Sequence, residues 1–154
     1  LHTLPGLTDL GRRLAARYRI PFVRVPVEPP WIGTGTSLHD INRRLGATAL
    51  ASCNLLTRLT DSGNMNLRPL RFLGFHDGGR LDEHRLTRLL RHLAPGNTYE
   101  LMCHPGLDPD EPEVQSWGYR HEAEMQALTN PAIRSAIAAW NIRLCNFAEL
   151  AQET

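Results

Sequence analysis

The residue best placed to move a proton in this chain is His104, in the stretch Thr98–Gly106 (Thr-Tyr-Glu-Leu-Met-Cys-His-Pro-Gly). An imidazole titrates near neutral pH and can give or take a proton under ordinary conditions. Thr98 to Cys103 is rich in extended-chain formers and lies between Pro95-Gly96-Asn97 and Pro105-Gly106, which predicts a short buried strand. His104 falls at its carboxyl end, held extended by Pro105, before Gly106 releases the chain into a loop. Ligands and catalytic groups collect at that end of the strands in α/β proteins. The plainer alternative is a histidine in a tight turn.

Other groups carry chemistry with alternatives of their own. Cys103 beside His104 hints at a thiol nucleophile, but strand neighbours face opposite sides, and a buried Cys is more often inert packing. His76-Asp77 hints at metal ligation, yet Gly78-Gly79 follow and turn chemistry is the stronger reading. Asp108, Asp110 and Glu111 lack the spacing of a calcium loop and read as a solvated acidic loop within Leu107–Glu113. Arg24 interrupts an apolar run, so it either snorkels to the surface or pairs with a carboxylate, with Glu28 a candidate partner. His84 and His92 lie on a helix far from any strand end and read as surface residues.

The elements that must position these groups follow from punctuation and periodicity. Leu1 to Pro5 reads as a strand end with His2 at its carboxyl end. Thr8 is the expected N-cap of a helix carrying Leu10, Leu14 and Tyr18 and ending near Arg19. Phe22–Val25 follows as a strand, and Glu28–Ser37, with two prolines, two glycines and Trp31, as a loop. Ser37 to Leu59 is a long helical segment containing Gly46, ended by Asp61-Ser62-Gly63-Asn64. Leu70–Phe75 is a strand, and Asp82 caps an amphipathic helix with Leu86, Leu89, Leu90 and Leu93 inward. Tyr119–Leu128 is a helix, Asn130-Pro131 opens another with Ile133, Ile137 and Trp140 buried, Ile142–Leu144 is a strand and Phe147–Gln152 a terminal helix. This alternation predicts an α/β domain with a mainly parallel sheet.

Composition sets outer limits. The 154 residues suit a single domain, 1–154, with a real core. A net charge of +1, from 17 basic and 16 acidic residues, implies no polyanion partner, so no nucleic acid. No apolar run reaches the roughly 18 residues that span a membrane. Three cysteines without paired spacing fit reduced thiols in the cytoplasm. The chain opens at Leu1, with no methionine, and reads as a fragment.

Glu-Leu-Met-Cys-His-Pro-Gly, followed by Tyr-Arg-x-Glu-x-Glu (Tyr119 to Glu124), resembles the C-terminal part of the YdjC-like carbohydrate deacetylases, the ChbG/HpnK group. Leu1-His2-Thr3-Leu4-Pro5 resembles the end of that family's His-rich strand motif, and Leu144-x-x-Phe147-x-Glu149-Leu150 its usual ending. The resemblance implies an irregular (β/α) barrel, here its C-terminal portion, and metal-dependent hydrolysis of an N-acetyl group from an amino sugar or glycoconjugate. A divalent metal, Zn or Mg, lowers the pKa of bound water and polarises the carbonyl, while an acid protonates the departing amine. The resemblance gives that acid role to His104. It places Arg24 near the substrate mouth, puts His2 either behind the metal ligands or among the substrate contacts, and puts the metal ligands themselves upstream of Leu1. Trp31 would stack on a pyranose, the alternative being a tryptophan that caps the core beneath its loop. A sheet edge left open pairs with another copy, giving a homodimer, or belongs to a longer chain. The rival to an enzyme is a carbohydrate-binding or scaffold member that kept the fold without catalysis.

Overall fold

The computed structural model describes residues 6–24, 27, 28, 45, 46, 48, 49, 51, 52 and 70–153. Its elements are helix α1 (Leu7–Tyr18), strand β1 (Arg71–Leu73), α2 (Glu83–Arg91), β2 (Tyr99–Leu101), α3 (Pro112–Gln115), α4 (His121–Thr129), α5 (Pro131–Ala139) and α6 (Phe147–Gln152). β1 and β2 pair in parallel, with Arg71 opposite Tyr99, Phe72 opposite Glu100 and Leu73 opposite Leu101. Helix α2 makes the crossover between them. This is the α/β arrangement expected from the alternating pattern; among the described residues the sheet has these two strands. Positions 45, 46, 48, 49, 51 and 52 are helical, inside the segment expected from Ser37 to Leu59.

Local signals place most elements. The Asp82 side chain accepts from the Arg85 N–H (3.0 Å) and starts α2. Leu86 and Leu89 turn inward from α2 and Leu90 is partly buried, as the spacing requires. Asn130 accepts from the Ala132 N–H (2.8 Å), and Pro131, which has no N–H to satisfy, opens α5. Asn146 and Glu149 close a reciprocal capping box at the start of α6. Leu81, Leu86, Leu89, Ala127 and Ile133 form the apolar core, against which Leu101 and Cys103 pack from the strand side.

Several expectations give way to longer-range contacts. Helix α1 starts at Leu7 after Gly6, so Thr8 is not its cap but a buried residue of its first turn. The Leu10, Leu14 and Tyr18 stripe stands exposed, while α1 buries Thr8 and Ala15. Residues 22–24 are not in a strand, and Val25 lies outside the described residues. Ile142–Leu144 is irregular: Asn141 turns the chain at a φ of 54°, and the Ile142 N–H bonds back to Ile137 O (2.9 Å), capping α5. The acidic loop ends early in the short helix α3. Tyr119 and Arg120 precede α4 because they are engaged elsewhere, the Arg120 N–H with Gly79 O (2.7 Å).

Candidate active site

Successive residues of a strand face opposite ways, and β2 uses both directions. Leu101 and Cys103 go to the helical core. Glu100, Met102 and His104 go to the other side. Burial, and then the Glu124 charge, push the Cys103 thiol up, so it keeps its proton near neutral pH and packs rather than attacks. The Met102 N–H donates to Leu73 O (2.9 Å), extending the pairing to the residues just before His104. His104 therefore stands at the carboxyl end of β2, as expected.

Three residues of the segment before and within α4 surround it. The Tyr119 ring lies 4.8 Å from the His104 ring, centroid to centroid, at 50°. Glu124, fully buried, accepts from the His104 N–H through Oε2 and from the Leu81 N–H through Oε1 (3.0 Å). His121 Nδ1 lies 2.7 Å from His104 O. A carbonyl only accepts, so His121 Nδ1 carries the proton. The His104 Nδ1 atom is buried and has no hydrogen-bond partner among the described residues. An unpaired buried ring nitrogen costs free energy, so it marks a place where a further polar group belongs.

The turn after β1, residues 75–79, comes up beside this histidine. Gly78 lies against its ring: a Cβ there would stand 3.5 Å from His104 Cε1. Gly79 has a φ of 80°, and a Cβ on it would fall 2.4 Å from Tyr119 Cδ1, so only glycine lets the two segments close. Glu28 secures the turn from beneath, accepting from the Gly74 N–H (2.9 Å) and the His76 N–H (2.8 Å). Burial pushes the Glu28 carboxyl up, against the backbone amides of His76, Gly74 and Phe75, and the Asp77 charge adds to the rise. His76 Nε2 is 4.0 Å from Glu28 Oε2, and Asp77 is 3.6 Å from Arg85. His76 and Asp77 thus lie in a turn, as their glycine neighbours required, but both are buried.

Of the residues expected at a site, His104 and Arg24 are described; His2 and Trp31 lie outside the described residues. Arg24 pairs with Glu100 rather than with Glu28, whose oxygens are taken by the β1 turn. Glu100 shares a strand face with His104, which directs the pair toward the same side of the sheet. Asp108, Asp110 and Glu111 are exposed, as are His84 and His92. Glu28, Tyr119, His121 and Glu124 join the site without having been singled out for it. Among the described residues no group of three or more His, Cys, Asp or Glu side chains is arranged to hold a metal ion. A catalytic metal takes about three protein ligands, so the described residues alone do not fit one. A cavity of about 790 Å³ opens on the helical side, lined by residues such as Leu89, Leu93, Trp140 and Ile142, and His104 is not part of its wall.

A parallel strand pair with a histidine at its carboxyl end, held by a Tyr-Arg-His-Glu-x-Glu segment, defines an α/β protein with its candidate site at the strand ends. The chain belongs to the YdjC-like protein family, whose profile matches residues 1–139. It is 25% identical to a human carbohydrate deacetylase over 97% of its own length and 50% of that protein's. It is 26% identical to a mouse carbohydrate deacetylase, again over 97% of the chain and 53% of the relative. The chain spans about half the length of the curated relatives it matches. No solved structure matches it.

Proposed function

We propose that this chain is part of a carbohydrate deacetylase that hydrolyses the N-acetyl group of an amino sugar or glycoconjugate, with His104 as general acid. The observation that carries the reading is the His104 ring: at a strand's carboxyl end, tilted against the Tyr119 ring, with a buried Nδ1 that lacks a partner among the described residues. Family membership and the names of the two relatives support the reaction class. The chemistry asks for such a group. Water adds to the amide carbonyl, a base takes its proton, and the amine leaves only once protonated, because a free amide anion is too poor a leaving group. His104 would hold that proton, and its fixed backbone would aim it. Dependence on a divalent metal and a (β/α) barrel around this strand pair belong to the same proposal, as do substrate contacts from His2, Arg24 and Trp31.

The test is turnover of an N-acetylated chitooligosaccharide by the complete protein, with and without a chelator. A positioned general acid contributes roughly 10²–10⁴-fold, so His104→Ala should lower kcat by about that factor while the melting temperature holds. His104→Gln keeps a hydrogen-bond donor but delivers no proton, and should fare little better. An ester analogue, whose alkoxide leaves more readily, should lose less. Equal losses on amide and ester would make His104 a binding residue. Sugar binding without turnover by the unaltered protein would make it a non-catalytic carbohydrate-binding member.

A further inference from the structure

The Tyr119–Glu124 segment touches His104 at its N–H, its C=O and its ring, and no part of the proposed reaction uses it. We propose that Glu124 is the positioning residue for His104, assisted by His121 and Tyr119; this rests on the reading of His104 as the acid. Two peptide planes flank the His104 α-carbon. Glu124 holds the first by accepting the His104 N–H, and His121 holds the second by donating from Nδ1 to His104 O (2.7 Å). Pro105 limits the backbone of His104 to an extended conformation. With both planes fixed, only the side-chain torsions are left to place the imidazole, and Tyr119 on one side and Gly78 on another narrow those.

Glu124 also joins the two strand ends. Its other oxygen accepts from the Leu81 N–H (3.0 Å), just past the turn that follows β1, so one buried carboxylate sets the spacing between that turn and His104. The Arg120 N–H to Gly79 O bond (2.7 Å) ties the Tyr119–Glu124 segment to that turn as well. A carboxylate is the group this position needs, because it faces two N–H donors and offers an acceptor to each. An amide of the same shape offers one acceptor and turns an NH₂ toward the second donor. Fully buried and paired on both oxygens, Glu124 is not available to shuttle protons with solvent, so its role is placement.

The experiment compares Glu124→Gln, Glu124→Asp and His121→Ala with the unaltered complete protein, measuring kcat, KM and the ¹⁵N and ¹³C resonances of the His104 ring. Misplacing a reacting group by about 1 Å costs roughly 10²-fold. Glu124→Gln should therefore lower kcat by about that factor with KM within about twofold, and split or broaden the His104 ring signals. Glu124→Asp keeps two acceptors on a shorter arm and should recover part of kcat. His121→Ala loses the carbonyl contact and an edge contact with the Tyr119 ring, folds more readily because the site is half-buried, and should show the same pattern more weakly. Leu86→Ala, a core change that lowers melting temperature, should leave the ring signals sharp. Ring signals unchanged in both Glu124→Gln and His121→Ala would overturn the inference, whatever the activity. If the unaltered protein shows no turnover, the deacetylase reading fails, while the resonances still decide whether Glu124 fixes His104.

Discussion

Behind β2, Leu81, Leu86, Leu89, Ala127 and Ile133 form an apolar layer; at the carboxyl end of the same sheet Glu28, His76, Asp77 and Glu124 are buried just as deeply. The first group needs only shape and water exclusion, and any well-fitting apolar residue serves. The second needs direction, because each oxygen of Glu28 and Glu124 must meet a particular N–H. Apolar burial is the cheaper way to hold a sheet together. The polar end therefore has a different task, which is to fix the β1 turn and the His104 backbone relative to each other.

The largest effect on stability should come from the apolar layer. Leu86→Ala removes a fully buried side chain and should cost about 2–5 kcal/mol. Chemical denaturation checks this, with kcat per folded molecule expected to stay within about twofold. A loss of kcat as large as that of His104→Ala would erase the contrast between the two regions.

Glu28 sharpens it next. Its folded carboxyl is raised, chiefly by burial, so the folded chain holds this proton to a higher pH than the unfolded chain does. The stability linked to it is full below the ordinary carboxylate range and is lost as pH rises through the raised value. Glu28→Gln should flatten that part of the profile of urea midpoints against pH. It should also cost about 1–3 kcal/mol near neutrality, because one of the two turn amides loses its acceptor. A midpoint profile parallel to that of the unaltered protein would show that Glu28 does not titrate differently on folding.

What could be read from the sequence divides along the same line. Helix α2, the Asn130-Pro131 start and α6 were legible because caps and apolar spacing are local. His104 was legible at a strand end because Pro105 and Gly106 punctuate it. Glu28 was not, because its partners lie 46 and 48 positions away. Glu124 was hidden similarly: a glutamate on a helix normally faces water, and nothing local shows that it reaches Leu81, 43 positions back, or His104, 20 back. The same limit explains α1. Periodicity marked Leu10, Leu14 and Tyr18 as one stripe, but spacing cannot tell what a stripe meets, and here it is exposed. Ile142–Leu144 has strand-like composition, yet the Ile142 amide is committed to ending α5.

Arg24, paired with Glu100 on the strand face that also carries His104, gives the smallest expected effect. Its guanidinium is about half exposed (51%) and pairs with Glu100, whose side chain is 11% exposed. An ion pair open to solvent on one side is worth roughly 0.2–1 kcal/mol, which in a chain of this size moves the melting temperature by at most about 4 °C. Arg24→Ala should stay inside that limit. If Arg24 also contacts a sugar on the His104 side of the sheet, KM for the N-acetyl substrate should rise several-fold with kcat nearly unchanged, since a contact kept equally in ground and transition states shows in KM alone. Arg24→Lys separates the two roles: it keeps the charge for Glu100 but loses the planar fork, so it should restore the melting temperature and leave KM raised. If KM is unchanged in both variants while stability follows the charge, Arg24 is part of the scaffold and the substrate surface begins closer to His104.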